Sequence, residues 1–240
     1  MPPFVVESIL RLVISENRSA LLEPEAKEIC RAYQIPIPNF GVAHSGSEAA
    51  KLAEKVKFPV VLKIVSRDIL HKSEARGVLL DLRSREQVEL GYQKIIDNAR
   101  AYNDSARIEG VLVQHMAPEG IEVIVGGIRD SQFGTTVLFG LGGIFVEVLK
   151  DVTFRVAPLD ELDSREMIKE VHSYPILRGV RGQPAADEEA IIGILQATSR
   201  IMLDNSCVEQ MDLNPTMVYG SGASVVDARI ILQASDPVQL

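Results

Sequence analysis

Cys207-Val-Glu-Gln-Met-Asp-Leu-Asn-Pro215, answered further on by Val225-Val-Asp-Ala-Arg229, is the stretch whose reading decides this fold. It sets an acceptor, Asn214, before a turn-forming proline and a second acceptor, Asp227, inside the next apolar run. If the two runs pair as strands, Asn214 and Asp227 face one point in space from adjacent strands. Arg229 then shares the face of Asp227, because strand side chains repeat with period two. Oxygen donors beside a guanidinium suit a magnesium–polyphosphate, which needs hard ligands for the metal and a fork of donors for the phosphates. A hairpin with chance polar residues gives the same pattern, and the stretch alone favours that simpler reading.

The rest of the chain narrows the choice. Its 240 residues suit one large domain or two lobes sharing a cleft. With 46% hydrophobic and 24% charged residues the composition is that of a soluble globular protein. A net charge of −8 argues against a nucleic-acid partner or an anionic membrane, so any anionic ligand must be held by local basic residues. No apolar run reaches the ~18 residues of a membrane span. Phe4 to Ile14 carries Glu7 and Arg11 and reads as an amphipathic helix rather than a signal peptide. Cys30 and Cys207 form no metal motif and read as free thiols of a cytoplasmic protein. The four histidines, His44, His71, His115 and His172, lack zinc-ligand spacing.

Patterning predicts an N-terminal helix and connector (1–19), then a helix opened by Glu23-Pro24 and an extended Phe40–Ala43. A helix capped by Ser45 or Ser47, a strand Pro59–Val65, a strand Gly77–Leu82 and a helix from Arg85 to Tyr102 follow. Gly110 marks a pivot between a first lobe (20–110) and a second (111–234). The second lobe opens with strands Val111–Met116 and Ile121–Val125 about a Pro118/Gly120 turn. Strands at Thr135–Phe139 and Val152–Val156, helices at 160–171 and 187–203, and the opening hairpin complete it, leaving 235–240 as a tail. The expected class is α+β, two lobes with a cleft between them.

Several side chains stand where chemistry can use them. Lys63 interrupts Val-Val-Leu-Lys-Ile-Val, so its ammonium either faces solvent or points into a cleft toward an anion. Lys27 on the preceding helix is a less specific cation. The loop Asp68-Ile-Leu-His-Lys-Ser-Glu-Ala-Arg-Gly77 gathers His71, Lys72, Ser73 and Arg76, a density of nitrogen groups that phosphate-handling loops use. His71 there can act as a nucleophile at phosphorus or be an inert loop residue. Gln114 and Met116 end an apolar strand whose edge can offer backbone groups to a flat heterocycle, and Met116 can equally be plain core. Glu122 can accept from sugar hydroxyls or lie on the exposed side of its strand. Phe139-Gly-Leu-Gly-Gly143 permits close backbone approach but lacks the dinucleotide and P-loop spacings, while Glu147 and Arg155 are charged positions that hint at a site.

Taken in order, Lys27, Pro59-Val-Val-Leu-Lys63, Val111–Met116, Gly120-Ile-Glu122, Leu213-Asn-Pro215 and Asp227 resemble an ATP-grasp domain. More narrowly, four runs resemble the nucleotide-binding beta subunit of ADP-forming acetyl-CoA synthetase. These are Ile69-Leu-His-Lys-Ser73, Gly126-Gly-Ile-Arg-Asp-Ser-Gln-Phe-Gly134, Phe139–Lys150 and Met211-Asp-Leu-Asn-Pro215. The resemblance spans about residues 20–232, and succinyl-CoA synthetase beta subunits are a more distant likeness. It implies an ATP-grasp fold and an acid–CoA ligase in which a phosphohistidine on a CoA-binding alpha subunit passes its phosphoryl group to ADP. It further implies Mg²⁺ and ATP/ADP as cofactors and an α2β2 assembly. By position, Lys63 and Lys27 would contact phosphates, the backbone of Gln114 and Met116 would hold adenine, and Glu122 the ribose. Asn214 and Asp227 would bind Mg²⁺, with Arg229 near the phosphates. His71 would be a second phosphoryl carrier or a phosphate contact. Arg76 departs from the family pattern, which has glycine there. Two other classes stay open: a self-sufficient ATP-grasp carboxylate–amine ligase and a nucleotide-sensing subunit without catalysis.

Overall fold

Side-chain caps and prolines start the helices where the sequence places them. The Ser45 and Ser84 hydroxyls accept the backbone N–H of Glu48 and Gln87 (3.2 Å each), Asp187 accepts that of Ala190 (3.1 Å), and Pro24 opens the second helix. The computed structural model describes residues 4–180 and 184–233; the tail expected at 235–240 and the side chains of Ile144 and Glu147 lie outside the described residues. In chain order the elements are α1 (Phe4–Ser15), α2 (Glu23–Ala32), β1 (Phe40–Ala43), α3 (Gly46–Val56), β2 (Val60–Ser66) and β3 (Val78–Leu82). Next come α4 (Arg85–Tyr102), β4 (Ile108–His115), β5 (Ile121–Asp130), β6 (Gly134–Leu141), the short α5 (Ile144–Glu147) and β7 (Val152–Val156). The chain ends with α6 (Glu161–Glu170), α7 (Tyr174–Leu177), α8 (Glu188–Asp204), β8 (Val208–Val218), β9 (Ala223–Val225) and β10 (Arg229–Leu232).

The elements form two compact units, one of Pro38–Ala117 and one of the residues up to Ile37 with those from Pro118 onward. In the smaller unit an antiparallel sheet runs β1-β4-β2-β3. Val60, Leu62 and Ile64 of β2 and Val111 and Val113 of β4 are buried with Ala49 and Ala53 of α3 and Val88 and Ile95 of α4. In the larger unit the sheet runs β10-β8-β5-β6-β7, and β9 pairs with the remaining length of β8. Val123, Val125, Val137 and Phe139 from that sheet are buried with Ile168 of α6 and Leu195 and Ile201 of α8.

Three expectations need correction. The division at residue 110 fails because β4 is an inner strand of the smaller sheet, paired with β1 and β2 from Ile108 onward. For the same reason β4 and β5 do not form a hairpin; they enter different sheets. The segment before Ile37 belongs with the larger unit: Ala20 bridges Ile231, the Leu21 N–H donates to Ile230 O (3.0 Å), and the Val225 N–H donates to Pro36 O (2.8 Å). Among the described residues no helix is long and apolar enough to cross a membrane.

Candidate functional site

Asn214 owes its position to a β-bulge. Val123 and Val125 of β5 pair with Thr216 and Leu213 of β8, so Asn214 and Pro215 together oppose the single residue Ile124. Pro215 has no N–H to give the ladder, and a bulge is where a strand tolerates that. The Thr216 hydroxyl closes the bulge by donating to Leu213 O (3.0 Å). Opposite it, the β9–β10 edge is interrupted at Val226–Ala228, where the Val226 N–H donates to Pro215 O (2.9 Å). The register is the same on both sides of that break, with Thr216 across from Val225 and Asp212 across from Arg229. Continued through the break, it sets Asp227 opposite Asn214. Asp227 is thus in a kink rather than in a strand, and its Oδ1 accepts the Ala228 N–H (2.9 Å).

Asp212, which sequence reasoning passed over, joins this group. It is two residues from Asn214, directly across from Arg229, and on the same open face of the sheet. Asp212 is exposed on its strand, yet partial desolvation by the surrounding sheet face, and then the charge of Asp227, push its carboxyl above the usual range, against the pull of Arg229. Its signal was available in the alternation Gln210, Asp212, Asn214 on one strand face. The donor set is two carboxylates and an amide oxygen, all hard ligands, beside one guanidinium. Among the described residues no three acidic, histidine or cysteine side chains form a metal cage. Two carboxylates and an amide oxygen suit Mg²⁺, which usually takes one or two carboxylates and completes its shell from water and substrate phosphates. Glu122 is exposed at the start of β5 on the same face, and its carbonyl accepts the Gly142 N–H (2.8 Å). The glycine-rich turn therefore approaches the Glu122 backbone closely.

In the smaller unit, Lys63 pairs across β4 with Leu112, and Val61 with Gln114. Lys63 and Gln114 consequently share the sheet face opposite the α3–α4 core, and both are buried. The strand edge that the sequence leaves open at Gln114 is paired on both sides. Gln114 lies between Phe40 of β1 and Val61 of β2, and the Met116 N–H is already donated to Pro59 O (2.9 Å).

His71 is exposed on a loop fixed at both ends. At the entry, Asp68 accepts from the Arg107 backbone N–H (2.7 Å), Nε (3.0 Å) and Nη2 (2.6 Å), a fork that holds its carboxyl down to about 2. At the exit, Asn98 Nδ2 donates to Arg76 O (2.9 Å), and the Ile64 N–H donates to Gly77 O (2.7 Å). A Cβ on Gly77 would stand 2.5 Å from Ile64 Cγ2, so only glycine fits there. Ile69 and Ala75 are buried, and between them the loop carries Leu70 and His71 outward. Arg76 adopts φ 47°, the left-handed region, where glycine would be unstrained.

Two candidates do not serve as expected. Lys27 is fully buried; its ammonium pairs with Glu23 (2.8 Å) and donates to Val226 O (2.9 Å). A paired, enclosed ammonium tethers the residue preceding Asp227. Arg155 pairs with Glu170 of α6, so it braces that helix.

Residues 12–232 match the ATP-grasp domain family, and the chain is an ATP-grasp protein. It is 47% identical over 228 residues to the beta subunit of acetate–CoA ligase [ADP-forming] II of Pyrococcus furiosus, covering 94% of this chain and 97% of the relative. Acetate–CoA ligase [ADP-forming] I of Archaeoglobus fulgidus is 43% identical, and there the match covers 95% of this chain but 32% of the longer relative. The solved acetyl-coenzyme A synthetase 1 of Ca. Korarchaeum cryptofilum superposes with a TM-score of 0.85 at 46% identity, covering 95% of this chain and all of that one. That structure holds coenzyme A and Mg-AMPPCP, with a phosphohistidine segment pointing towards the nucleotide-binding site. This chain belongs to the family of ADP-forming acetate–CoA ligase beta subunits.

Proposed function

We propose that the chain is the nucleotide-binding subunit of an ADP-forming acyl-CoA synthetase and makes ATP from ADP with a phosphoryl group supplied by a partner's phosphohistidine. The observation that carries this reading is the Asp212–Asn214–Asp227–Arg229 group on one open sheet face. It offers hard oxygens for Mg²⁺ and a guanidinium for phosphate, and the matched family couples those to acid–CoA ligation. Bound there, Mg²⁺ would neutralise charge on the terminal phosphates. Lys63 and the side chain of Gln114 are the nucleotide contacts of the smaller unit, and Glu122 takes the ribose hydroxyls.

His71 is the second carrier. Its imidazole nitrogen attacks phosphorus, breaking the P–N bond to the partner's histidine and forming a new one. An oxygen of the ADP β-phosphate then attacks, the P–N bond to His71 breaks, a P–O bond forms, and the net exchange takes up one proton. Little covalent chemistry falls to the protein beyond positioning and charge neutralisation, and a loop pinned at both ends supplies positioning.

The remaining machinery belongs to a separate CoA-binding alpha subunit, in an α2β2 assembly. The Pyrococcus relative, which is named a beta subunit and is matched over 97% of its length, supports a separate partner chain. Co-purification with a CoA-binding chain and ATP formation from acetyl-CoA, ADP and phosphate only when both are present is the expected result. ATP turnover by the isolated chain with small acids and amines would instead identify a self-sufficient ligase.

A further inference from the structure

The residues up to Ile37 run along the edge of the larger sheet that carries Asp227. Ala20 bridges Ile231, the Leu21 N–H donates to Ile230 O (3.0 Å), and the Leu232 N–H donates to Ser19 O (2.8 Å). That segment therefore lies beside β10 as an added rung. Further on, the Val225 N–H donates to Pro36 O (2.8 Å), which ties the end of β9 to the same stretch of chain. Between these two anchors α2 presents Glu23 and Lys27, one helical turn apart and both buried. The Lys27 ammonium lies 2.8 Å from a Glu23 carboxylate oxygen and donates to Val226 O (2.9 Å). Lysine is almost never enclosed unless its charge is paired, and here the glutamate pairs it.

These contacts converge on the break in the edge. Val226–Ala228 leave the ladder between β9 and β10, so their backbone groups must find partners elsewhere. Val226 is held on both sides, its N–H by Pro215 O of the β8 bulge (2.9 Å) and its carbonyl by Lys27. That carbonyl shares a peptide plane with the nitrogen of Asp227, so the ammonium fixes the plane from which the Asp227 side chain springs. A hydrogen bond from a charged donor is about twice as strong as one between neutral groups, which suits a residue that must hold an irregular backbone. The pair with Glu23 is neutral overall, so it does this without setting net positive charge behind a cation site. We infer that Lys27 is a positioning residue for Asp227: acting through Val226, it sets the metal-binding carboxylate before any ligand arrives. The inference rests on the reading of Asp227 as a Mg²⁺ ligand.

Two measurements on the full chain test it, neither of them turnover. In the unaltered protein, hydrogen exchange at the Val226 amide should change less than threefold on saturation with Mg-ADP, because the segment is already held. A larger slowing would show that the metal orders this segment, and would overturn the inference. The second measurement uses Glu23→Leu with Lys27→Met, which replaces the buried pair by apolar side chains of similar size, an exchange such pairs often tolerate. ADP affinity with Mg²⁺ should fall at least threefold, whereas ADP affinity in EDTA should stay within twofold. A smaller fall, or an equal fall in EDTA, overturns the positioning role and leaves Asp227 standing as a ligand. If the double variant does not fold, the exchange measurement decides alone. Asp227→Asn that keeps the full Mg²⁺ enhancement of ADP binding overturns the metal reading itself, and the positioning role with it.

Discussion

Asp212 of β8 stands directly across from Arg229 of β10, and the two share the open sheet face with Asn214. The guanidinium offsets only part of what partial desolvation and the charge of Asp227 impose on Asp212, whose carboxyl stays above its ordinary range. Without a cation, the carboxylates of Asp212 and Asp227 are close enough to repel each other. Asp212→Asn should therefore raise the Tm of the nucleotide-free protein while weakening Mg-ADP binding by tenfold or more, as read by calorimetry on both proteins.

The same relationship gives a pH dependence. Because the folded carboxyl titrates above its unfolded value of 3.8, its contribution to stability is full below that value and is lost as pH rises through the folded one. Cation binding requires the ionised form and drives the proton off. Mg-ADP affinity should fall as pH is lowered into the range where Asp212 protonates, with proton release on binding, and Asp212→Asn should flatten that slope. A slope unchanged in Asp212→Asn would show that another group carries it.

Asn214 and Asp227 act as a pair across the break between β9 and β10. Asn214 is exposed, so Asn214→Ala should leave folding intact and lower Mg-dependent nucleotide binding by at least tenfold. Asp227→Asn keeps an acceptor for the Ala228 N–H and removes the charge, and it should do the same. Equilibrium binding of ADP with and without Mg²⁺ separates metal loss from a general loss of affinity.

Lys27 should behave as a structural residue. Lys27→Ala strands Glu23 without its buried partner, and breaking such a pair costs about 3–5 kcal/mol. Denaturant unfolding should register that loss, whereas a phosphate contact would show as a raised KM for ADP in an equally stable protein.

Arg76 adopts a left-handed conformation that disfavours a side chain by about 1–2 kcal/mol. Arg76→Gly relieves it but frees the unfolded chain, so a net gain of about 1 kcal/mol or less is expected from chemical denaturation.

The elements themselves were legible from the sequence. Periodicity, caps and prolines marked the helix Arg85–Tyr102 at its observed ends and the strand Val152–Val156 likewise. Pairing was not legible, because a strand's neighbours are chosen by tertiary packing. Val111–Met116 and Ile121–Val125 read as a hairpin about Pro118, yet they enter different sheets. That same limit hid the closed edge at Gln114 and the membership of the first 37 residues in the larger unit. In the site, Asn214, Asp227 and Arg229 share a face because the register of β8 with β9 and β10 carries through the kink at Asp227, as pairing of the two runs predicts. Asp212 could have been read from the same alternation, two residues before Asn214; only its raised pKa, which depends on Asp227 in space, was beyond the sequence. Lys27 misled because a helical lysine gives no sign in sequence of the glutamate and carbonyl that enclose it.

The most direct test of the relay is to follow radiolabelled phosphate from acetyl phosphate through the partner subunit, this chain and ADP. The account expects acid-labile, base-stable label on His71, chased into ATP on adding Mg-ADP, with ATP synthesis lost in His71→Ala. Full ATP synthesis by His71→Ala with its partner would contradict it.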